Sequence, residues 1–552
     1  MRPIVPMPIA RGARGAVVAP HSLAVEAGIS ILRSGGNAVD AAVAANAVLS
    51  VVQPQSCGLG GDAFWLISEG TGGQWPSPPG GRRIWALNGS GRSAAGASIE
   101  AYWSRGVAEM PADGALTITV PGAVASWGDA LERYGALGFA RDLEPAIELA
   151  DGFPATDIWS ARVEAMELEF AGTGNWQSTF RPHGRSWRPG EIVRVPAMAR
   201  TLRRLAEGGA RSFYEGELAA EQSRFLQEAG SLITFDDLAR HRSDWTEPIS
   251  TTYRGVVATT HPPNSAGIHA LESLNILGHF DPPDRAAFGL QGTDARWTHL
   301  GIETAKFALE DRDRYLTDPD RMEPGVVEML LGGRHAADLA SRIDPRRARR
   351  PVIAARDGGT IYLATTDRWG GAVSLIASNW SSLGSGLVNP AHGFAYQNRG
   401  AFFSLDPRHA NALGPGKRTL HTLIPGMLLR DGSPWIVHGS MGGNIQLQIY
   451  AQFVSAVVDG GLGIGSAVAA PRWGVNPSEI LGPPDLTIME PGYSQSVRAE
   501  LEELGHSLVL TEAFSSELGF CHAIEIQRFD GGAIQSFKAV TDPRSDGLPG
   551  AF

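Results

Sequence analysis

Lysine is nearly absent from this sequence of 552 residues: it occurs three times, so arginine carries almost all of the positive charge. Acidic residues outnumber basic ones by 58 to 47, which gives a formal net charge of −11. A chain with this balance lacks the overall basic footprint that is typical of nucleic-acid binding. We therefore expect no nucleic-acid partner.

Cysteine is also scarce. Only Cys57 and Cys521 are present, and they lie far apart in the sequence. They provide neither a disulfide framework nor a cysteine-rich zinc site, so two buried free thiols are expected. The 14 histidines are scattered without the spacing of metal ligands. The sequence therefore predicts no metal and no cofactor.

Long apolar runs are missing too. No window reaches the roughly 18 apolar residues that a membrane-spanning helix needs. The N-terminal stretch MRPIVPMPIARGARGAVVAP has prolines and arginines where a secretory signal requires an unbroken apolar segment. We expect a soluble, cytoplasmic protein without a membrane partner. Hydrophobic residues make up 43% of the chain, which suffices for a large globular core.

Several common catalytic motifs do not occur. The chain contains no G-x-S-x-G nucleophile elbow, no H-E-x-x-H zinc motif and no G-x-x-x-x-G-K-[ST] phosphate loop. The glycine-rich stretch GLGGDAF lacks the spacing of a dinucleotide-binding loop. These absences disfavour serine-elbow, metal-dependent and nucleotide-dependent chemistry.

Helical and strand patterns are both clear. NAVDAAVAANAVLSVVQP predicts a helix that is capped by Asn37, ends before Pro54 and is buried on all sides. HLGIETAKFALEDRDRYL predicts an amphipathic helix. GLGGDAFWLISEG and RRIWALNGSGRSA predict two strands that pair. Further short strands are predicted in the second half of the chain: TIYLATTD, GGAVSLIASNW, GFAYQN, GMLLR and PWIVHGS.

Gly358 and Gly359 precede Thr360, the first residue of the first of these later strands. Taken alone, they are typical of a turn that enters a sheet. A threonine hydroxyl is a weak nucleophile that needs a base beside it. If the Gly359–Thr360 bond is cut, the new α-amino group shares a residue with the hydroxyl, and its reference pKa of about 7.7–8.0 suits proton transfer near neutrality. The residues thus raise the hypothesis of a self-cleaving threonine enzyme.

Two other stretches agree with this hypothesis. Gly442 and Gly443 stand before a helix-like run, where paired backbone amides can form an oxyanion hole. A tight turn at a helix start explains the two glycines equally well. Ser378 and Asn379 follow one strand after Thr360 and offer polar groups near a reacting centre.

Together these stretches resemble the γ-glutamyltranspeptidase family of N-terminal nucleophile hydrolases. GGNAVDAAVAANAVLSVVQPQSCGLGGDAF is similar to the opening signature of that family. Later blocks of the family match in order, namely YRGVVATTHPPNSAGIHALESLNIL, EDRDRYLTDPD, GPGKRTL, GSMGG and DPRSDG. The resemblance implies an α/β (α+β) fold, a four-layer αββα sandwich.

The resemblance also implies a precursor that cleaves itself between Gly359 and Thr360. Residues 1–359 would become a large subunit and residues 360–552 a small catalytic subunit, and both would stay together as one structural unit. A homodimer of processed units is left open. By position, Thr360 would be the nucleophile, the Gly442 and Gly443 amides the oxyanion hole, and Ser378 the counterpart of a supporting threonine.

The residues that bind a γ-glutamyl group in the family are not kept. Arg399 stands at the position of a Gln and Phe402 at that of an Asp, and neither accepts hydrogen bonds from an ammonium group. The remaining candidate substrate-binding residues also depart from the family pattern: His421 and Thr422 in place of a Ser-Ser pair, Trp380 in place of an Asn with Asn379 one position early, and Arg92 two residues from the expected Arg.

NGSGR, GGTIYL and QNRG are similar instead to a branch with some cephalosporin acylases and an oxamate amidohydrolase. Arg399 can pair with a carboxylate of an acyl group, although a structural salt bridge explains it equally well. We expect a self-processing amide hydrolase or acyltransferase whose small-molecule substrate is a half-amide of a dicarboxylic acid. Two alternatives stay open: a γ-glutamyl hydrolase or transferase acting on glutathione-like substrates, and an unprocessed relative without enzymatic activity.

Overall fold

The computed structural model describes residues 7–73, 75–76, 83–170, 175–289, 294–351, 359–475, 485–529 and 532–552. Its strands are β1 (Ala10–Gly12), β2 (Gly15–Val18), β3 (Asp62–Ser68), β4 (Ile84–Gly89), β5 (Phe153–Pro154), β6 (Ile192–Val193), β7 (Asp244–Thr246), β8 (Ile249–Tyr253), β9 (Val256–Thr260), β10 (Gly359–Asp367), β11 (Ala372–Trp380), β12 (Pro425–Arg430), β13 (Ser433–Ser440), β14 (Trp473–Val475), β15 (Leu486–Met489), β16 (Ser507–Leu510), β17 (Cys521–Arg528), β18 (Ile534–Val540) and β19 (Gly550–Ala551).

The α-helices of the described residues are α1 (Ser22–Arg33), α2 (Ala38–Val52), α3 (Ile99–Trp103), α4 (Ala123–Tyr134), α5 (Phe139–Asp151), α6 (Asp157–Glu169), α7 (Gln177–Phe180), α8 (Pro196–Gly208), α9 (Gly216–Glu228), α10 (Phe235–Arg240), α11 (Gly267–Leu277), α12 (Ala295–Tyr315), α13 (Val326–Leu330), α14 (Gly333–Ser341), α15 (Gln446–Val458), α16 (Ile464–Ala469) and α17 (Gln495–Glu503). The paired strands β3 and β4 and the long helix α12 confirm the sequence predictions.

Two seven-stranded sheets form the centre of the molecule. The first sheet has the strand order β19-β2-β10-β11-β3-β4-β7, and the second has β1-β18-β17-β13-β12-β9-β8. Neighbouring strands are antiparallel throughout both sheets. Successive side chains of a strand point to opposite faces, so each sheet offers one face to the other sheet and one to helices.

Three apolar cores follow from this arrangement. Between the sheets, Phe64, Tyr362 and Ile376 of the first sheet pack with Met427 and Val437 of the second. Helices α1, α2, α4, α5 and α8 cover the outer face of the first sheet, and helices α11, α12 and α15 cover that of the second. The order helix, sheet, sheet, helix is the predicted four-layer αββα sandwich.

Helix α2 fixes the position of β10 from the outer side. All of its residues, Ala38–Val52, are buried, as the sequence predicts. Asn37 and Asp40 form a capping box, in which the Asp40 carboxylate accepts the Asn37 N–H at 2.8 Å. The hydroxyl of Thr365 in β10 donates to the Ala38 carbonyl at 2.6 Å. The helix start and the strand are thereby joined by a buried hydrogen bond.

One predicted strand is wrong. The stretch GFAYQN, residues 393–398, forms only isolated bridges, Val388 with Ala395 and Gly60 with Tyr396. Its first residue, Gly393, has φ 77°, which bends the chain away from an extended path. The stretch packs as a loop whose N–H groups bond to another loop and to the end of β11, from Gln397 to the Gly60 carbonyl at 3.0 Å and from Asn398 to the Asn379 carbonyl at 3.1 Å. These separate bonds do not form a continuous strand ladder.

Both cysteines are buried free thiols, which confirms the prediction for Cys57 and Cys521. Among the helices of the described ranges, none is both long and apolar enough to pass through a bilayer.

The contact between β13 and β10 leaves no space for a side chain at Gly439. A Cβ atom there would lie 2.3 Å from Cε2 of Tyr362. Gly439→Ala must displace this ring or β13, and we expect the free energy of unfolding to fall by about 1–3 kcal/mol in urea denaturation. Gly414→Ala is the control, because a Cβ at Gly414 meets nothing within 4 Å. Equal losses in both variants would contradict the expectation.

Candidate active site

Three polar side chains lie side by side at one end of the first sheet. Thr360 belongs to β10, Ser378 to β11 and Asp62 to β3, which are adjacent strands. Ser378 and Asp62 are direct register partners. All three side chains are buried. By the alternation along each strand, they lie on the face that lines the core between the sheets. The pairing of three strands therefore brings together residues that are distant in sequence.

The hydroxyl oxygen of Ser378 joins the start of β10 to its surroundings. It donates to the carbonyl oxygen of Gly359 at 2.7 Å and lies 3.4 Å from Oγ1 of Thr360. It accepts from the backbone N–H of Trp380 at 2.7 Å and from Nη2 of Arg399 at 2.9 Å. A serine hydroxyl has one hydrogen and two lone pairs, so these bonds use its full capacity.

Arg399 is a fully buried guanidinium, and no carboxylate among the described residues lies within ion-pair distance of it. Nη1 donates to Oγ1 of Thr422 at 3.3 Å, while Nε has no acceptor. The rings of Trp380 and Phe402 lie 4.8 and 5.5 Å from its Cζ. Burial lowers the pKa of Arg399 to about 9. A buried cation in this state gains free energy when an anion binds beside it.

Asp62 is the buried acid of the site, a residue that no motif in the sequence singled out. Its Oδ1 accepts the N–H of Gly91 at 3.0 Å, and its Oδ2 lies 3.2 Å from Nε2 of His421. Burial raises the pKa of Asp62 to about 7, although the charge of Arg399 opposes the rise. Burial also holds the pKa of His421 well below its usual value, so the imidazole is neutral. The only available signal was an aspartate inside the glycine-rich turn GLGGDAF.

We refer to five residues as the Thr360 cluster: Thr360, Ser378, Asp62, Arg399 and His421.

Gly442 and Gly443 lie in the turn before α15, as the sequence predicts. Their φ angles are 131° and 54°, conformations that favour glycine. Neither backbone N–H has an acceptor among the described residues, so both are free to bind an oxygen atom. With its amide nitrogen turned toward acceptors, Gln446 donates to the carbonyls of Ser440 at 3.2 Å and Thr422 at 2.9 Å. These bonds tie the glycine turn to the loop that carries Thr422.

Two predicted substrate-binding residues lie apart from the Thr360 cluster. Asn379 faces the helix side of β11, where its Nδ2 donates to the carbonyl of Pro54 at 3.0 Å. Arg92 is a third exposed and lies 3.5 Å from Asp244 and 3.7 Å from Asp320. It lines a separate cavity of about 390 Å³. The roles of Asn379 and Arg92 in substrate binding stay predictions.

Elsewhere among the described residues, two groups of side chains have the composition of metal ligands. Their members lie in helices α11, α12 and α14 and, for His506, in the turn before β16, and neither group shares a residue with the Thr360 cluster. Their polar atoms already contact one another, as in the 2.7 Å contact between the two histidines of the first group. The groups are His299, Glu303 and His506, and Glu272, Asp311 and His335.

Removal of the Arg399 charge should stabilise the fold. Replacing buried charges by apolar groups of similar volume is often neutral or stabilising, so we expect Arg399→Met to raise the free energy of unfolding by up to about 4 kcal/mol. The matched control is Arg472→Met. Arg472 is also buried but pairs with Asp542, so its loss should cost about 3–5 kcal/mol. Urea unfolding measures both changes. A strongly destabilised Arg399→Met would show that Arg399 is structural.

Known proteins resemble this chain along nearly its whole length. A sequence model of the gamma-glutamyltranspeptidase family matches residues 24–552. A glutathione hydrolase-like proenzyme of Bacillus subtilis, YwrD, is 36% identical over 545 residues, which cover 97% of this chain and 98% of the relative. An oxamate amidohydrolase proenzyme of Klebsiella pneumoniae is 35% identical over 551 residues, 98% of each chain.

A solved structure shares the fold as well. The crystal structure of a cephalosporin acylase from Bacillus halodurans superposes with a TM-score of 0.89 at 36% identity, covering 100% of this chain and 98% of that chain. Fold, length and sequence agree across these relatives. The chain therefore belongs to the γ-glutamyltranspeptidase family and is an amide hydrolase or acyl-transfer enzyme with the αββα fold of the N-terminal nucleophile hydrolases.

Proposed function

We propose that this enzyme processes itself at Thr360 and hydrolyses an amide whose acyl group carries a carboxylate. One observation carries the proposal: the buried guanidinium of Arg399 has no carboxylate partner among the described residues and lies 2.9 Å from Oγ of Ser378. That oxygen is in turn 3.4 Å from Oγ1 of Thr360. The Ser378 hydroxyl thus lies between an anion-binding guanidinium and the hydroxyl of the nucleophile.

The first step is cleavage of the bond between Gly359 and Thr360. Oγ1 of Thr360 attacks the Gly359 carbonyl carbon, and the proton of the hydroxyl passes to the departing nitrogen. The Ser378 hydroxyl, 2.7 Å from the carbonyl oxygen, stabilises the negative charge that develops there. The ester formed by this shift is hydrolysed by water, which leaves a carboxylate on Gly359 and a free α-amino group on Thr360.

The two products would be interleaved within both sheets. In the first sheet, β10 and β11 of residues 360–552 lie between β2 and β3 of residues 1–359. In the second sheet, β12, β13, β17 and β18 of the smaller piece lie between β1 and β9 of the larger one. Pieces of 359 and 193 residues would therefore stay together through strand pairing and shared cores.

In the processed enzyme, Thr360 supplies both nucleophile and base. Its α-amino group takes the proton of its own hydroxyl as Oγ1 attacks the amide carbonyl of the substrate. The free N–H groups of Gly442 and Gly443 stabilise the oxyanion. The amine leaves with the transferred proton, and water then hydrolyses the acyl ester to release the acid.

Arg399 would select the acyl group. Its Nε and Nη groups offer donors to a carboxylate, and the flanking rings of Trp380 and Phe402 keep the interaction in a site of low polarity. The ammonium of a γ-glutamyl group would be repelled at the same place. A half-amide of a short dicarboxylic acid fits best, because the guanidinium and Thr360 are close. The name of the relative from Klebsiella pneumoniae, an oxamate amidohydrolase, agrees with this substrate class.

Self-cleavage is directly testable. We expect the purified wild-type protein to give two bands on a denaturing gel, of 359 and 193 residues, with Thr360 as a free N-terminus in mass spectrometry. Thr360→Ala removes the hydroxyl and should give one band, whereas Thr360→Ser keeps it and should still be cut. A wild-type protein that stays in one piece would favour an unprocessed relative without enzymatic activity.

The acyl specificity is tested with a substrate panel. We expect the processed enzyme to hydrolyse oxamate, malonamate or succinamate and to turn over a γ-glutamyl anilide weakly or not at all. Arg399→Gln should lower kcat/KM for the half-amide about 10- to 100-fold, since it loses charge-assisted hydrogen bonds. Arg408→Gln is the control, because Arg408 is exposed and pairs with Asp406. A preference for the γ-glutamyl substrate would refute the proposed specificity.

A further inference from the structure

We propose that Asp62 is a specificity-determining residue that couples binding of the substrate carboxylate at Arg399 to the uptake of one proton from solvent. This inference rests on the proposed function, because it takes Arg399 as the carboxylate site. It adds a pH-dependent control of substrate binding by a residue that does not touch the reacting atoms.

Asp62 and Arg399 are both neighbours of Ser378, one through strand register and the other through a hydrogen bond. Ser378 is the register partner of Asp62 and accepts a hydrogen bond from Arg399 at 2.9 Å. Both charged side chains are almost completely buried, at 0% and 1% relative exposure. No ion pair within 4.0 Å joins them among the described contacts. Each charge therefore acts on the other through a dry interior rather than through a direct bond.

The charged and titratable groups around Asp62 determine how its pKa responds to substrate binding. Arg399 and Arg418 stabilise its ionised form, as do backbone N–H groups of Gly91 and Gly122. The neutral imidazole of His421 faces Oδ2 at 3.2 Å. Two further groups feel the same environment: His261, which lowers the pKa of His421, and Tyr214, whose raised pKa Asp62 raises further. Of all these groups, Arg399 is the one that a bound substrate would neutralise.

A carboxylate bound at Arg399 neutralises the positive charge that most favours the ionised form of Asp62. Two carboxylates around one guanidinium in a water-excluded site cannot both stay ionised without a large electrostatic cost. Asp62 is the one that gives way, because burial already raises its pKa to about 7 in the free enzyme. Substrate binding raises this pKa further, and Asp62 takes up a proton.

The sign of the pH dependence follows. Below about pH 7, Asp62 is already protonated in the free enzyme, so the carboxylate binds without proton uptake. Above pH 7, Asp62 is ionised before binding, so each binding event must take a proton from solvent. The KM for a carboxylated substrate then rises with pH, toward a limit of tenfold per pH unit.

The test compares wild-type enzyme with Asp62→Asn, using oxamate as substrate between pH 6.0 and 8.0, a range that stays below the pKa of about 9 of Arg399. Asparagine keeps the size of the side chain but stays neutral. We expect the ratio of the wild-type KM to that of Asp62→Asn to grow toward about tenfold across this range. The ratio cancels the titration of the Thr360 amine, which both enzymes share. A ratio that does not change with pH would overturn the inference.

A matched control separates this effect from the loss of any buried acid. Asp142 is also buried, and burial beside Asp40 raises its pKa to about 9, so it is neutral in the same pH range. It lies in α5 beside Asp40 at the start of α2, which contacts Thr365 at the other end of β10 from Thr360. Asp142→Asn should keep the wild-type KM profile.

The experiment distinguishes a failure of the role of Asp62 from a failure of the proposed function. If Asp62→Asn does not fold, Asp62→Ser is the second neutral variant, and the wild-type profile is decisive by itself: a KM that stays flat above pH 7 overturns the inference. If oxamate and the other half-amides are not hydrolysed at any pH, the proposed function has failed. Turnover with a flat KM profile refutes only the role of Asp62.

Discussion

The site depends on the hydrogen bonds made by the hydroxyl of Ser378. This hydroxyl holds the carbonyl before Thr360, faces the Thr360 hydroxyl and accepts from Arg399. Its position follows from the pairing of β10, β11 and β3, which places Thr360, Ser378 and Asp62 in one row between the sheets. Close packing of the core between the sheets and of α2 against the first sheet holds these hydrogen-bonding groups in place.

Arg399 differs from the other deeply buried arginines of the described chain. Each of the others has a carboxylate partner: Arg312 pairs with Asp313, Arg418 with Asp244, Arg472 with Asp542, and Arg544 with Glu490 and Asp542. Such pairing offsets the cost of burying a charge. Arg399 instead donates to two hydroxyl groups and lies against two aromatic rings. The nearby acid, Asp62, accepts from a backbone N–H and contacts the neutral imidazole of His421. The site thus keeps a cation whose best partner would come from outside the protein.

Much of this arrangement could be predicted from sequence, and the limits have physical causes. The buried helix α2, the strand that starts at Gly359 and the glycine turn at Gly442 follow from local patterns, and the fold follows from the family resemblance. Asp62 was missed because its importance depends on the register between β3 and β11, which no local pattern encodes. Asn379, the residue after Ser378, faces the opposite side of β11, and its role in substrate binding stays a prediction.

The central claim is that a nucleophile and a carboxylate-binding guanidinium act together on one acyl group. The most direct measurement is the ratio of kcat/KM for succinamate to that for butyramide, a neutral amide of similar length, with the processed wild-type enzyme. Two charge-assisted hydrogen bonds to Arg399 predict a preference of at least about 100-fold for succinamate. A ratio near one, or a preference for the neutral amide, would contradict the account.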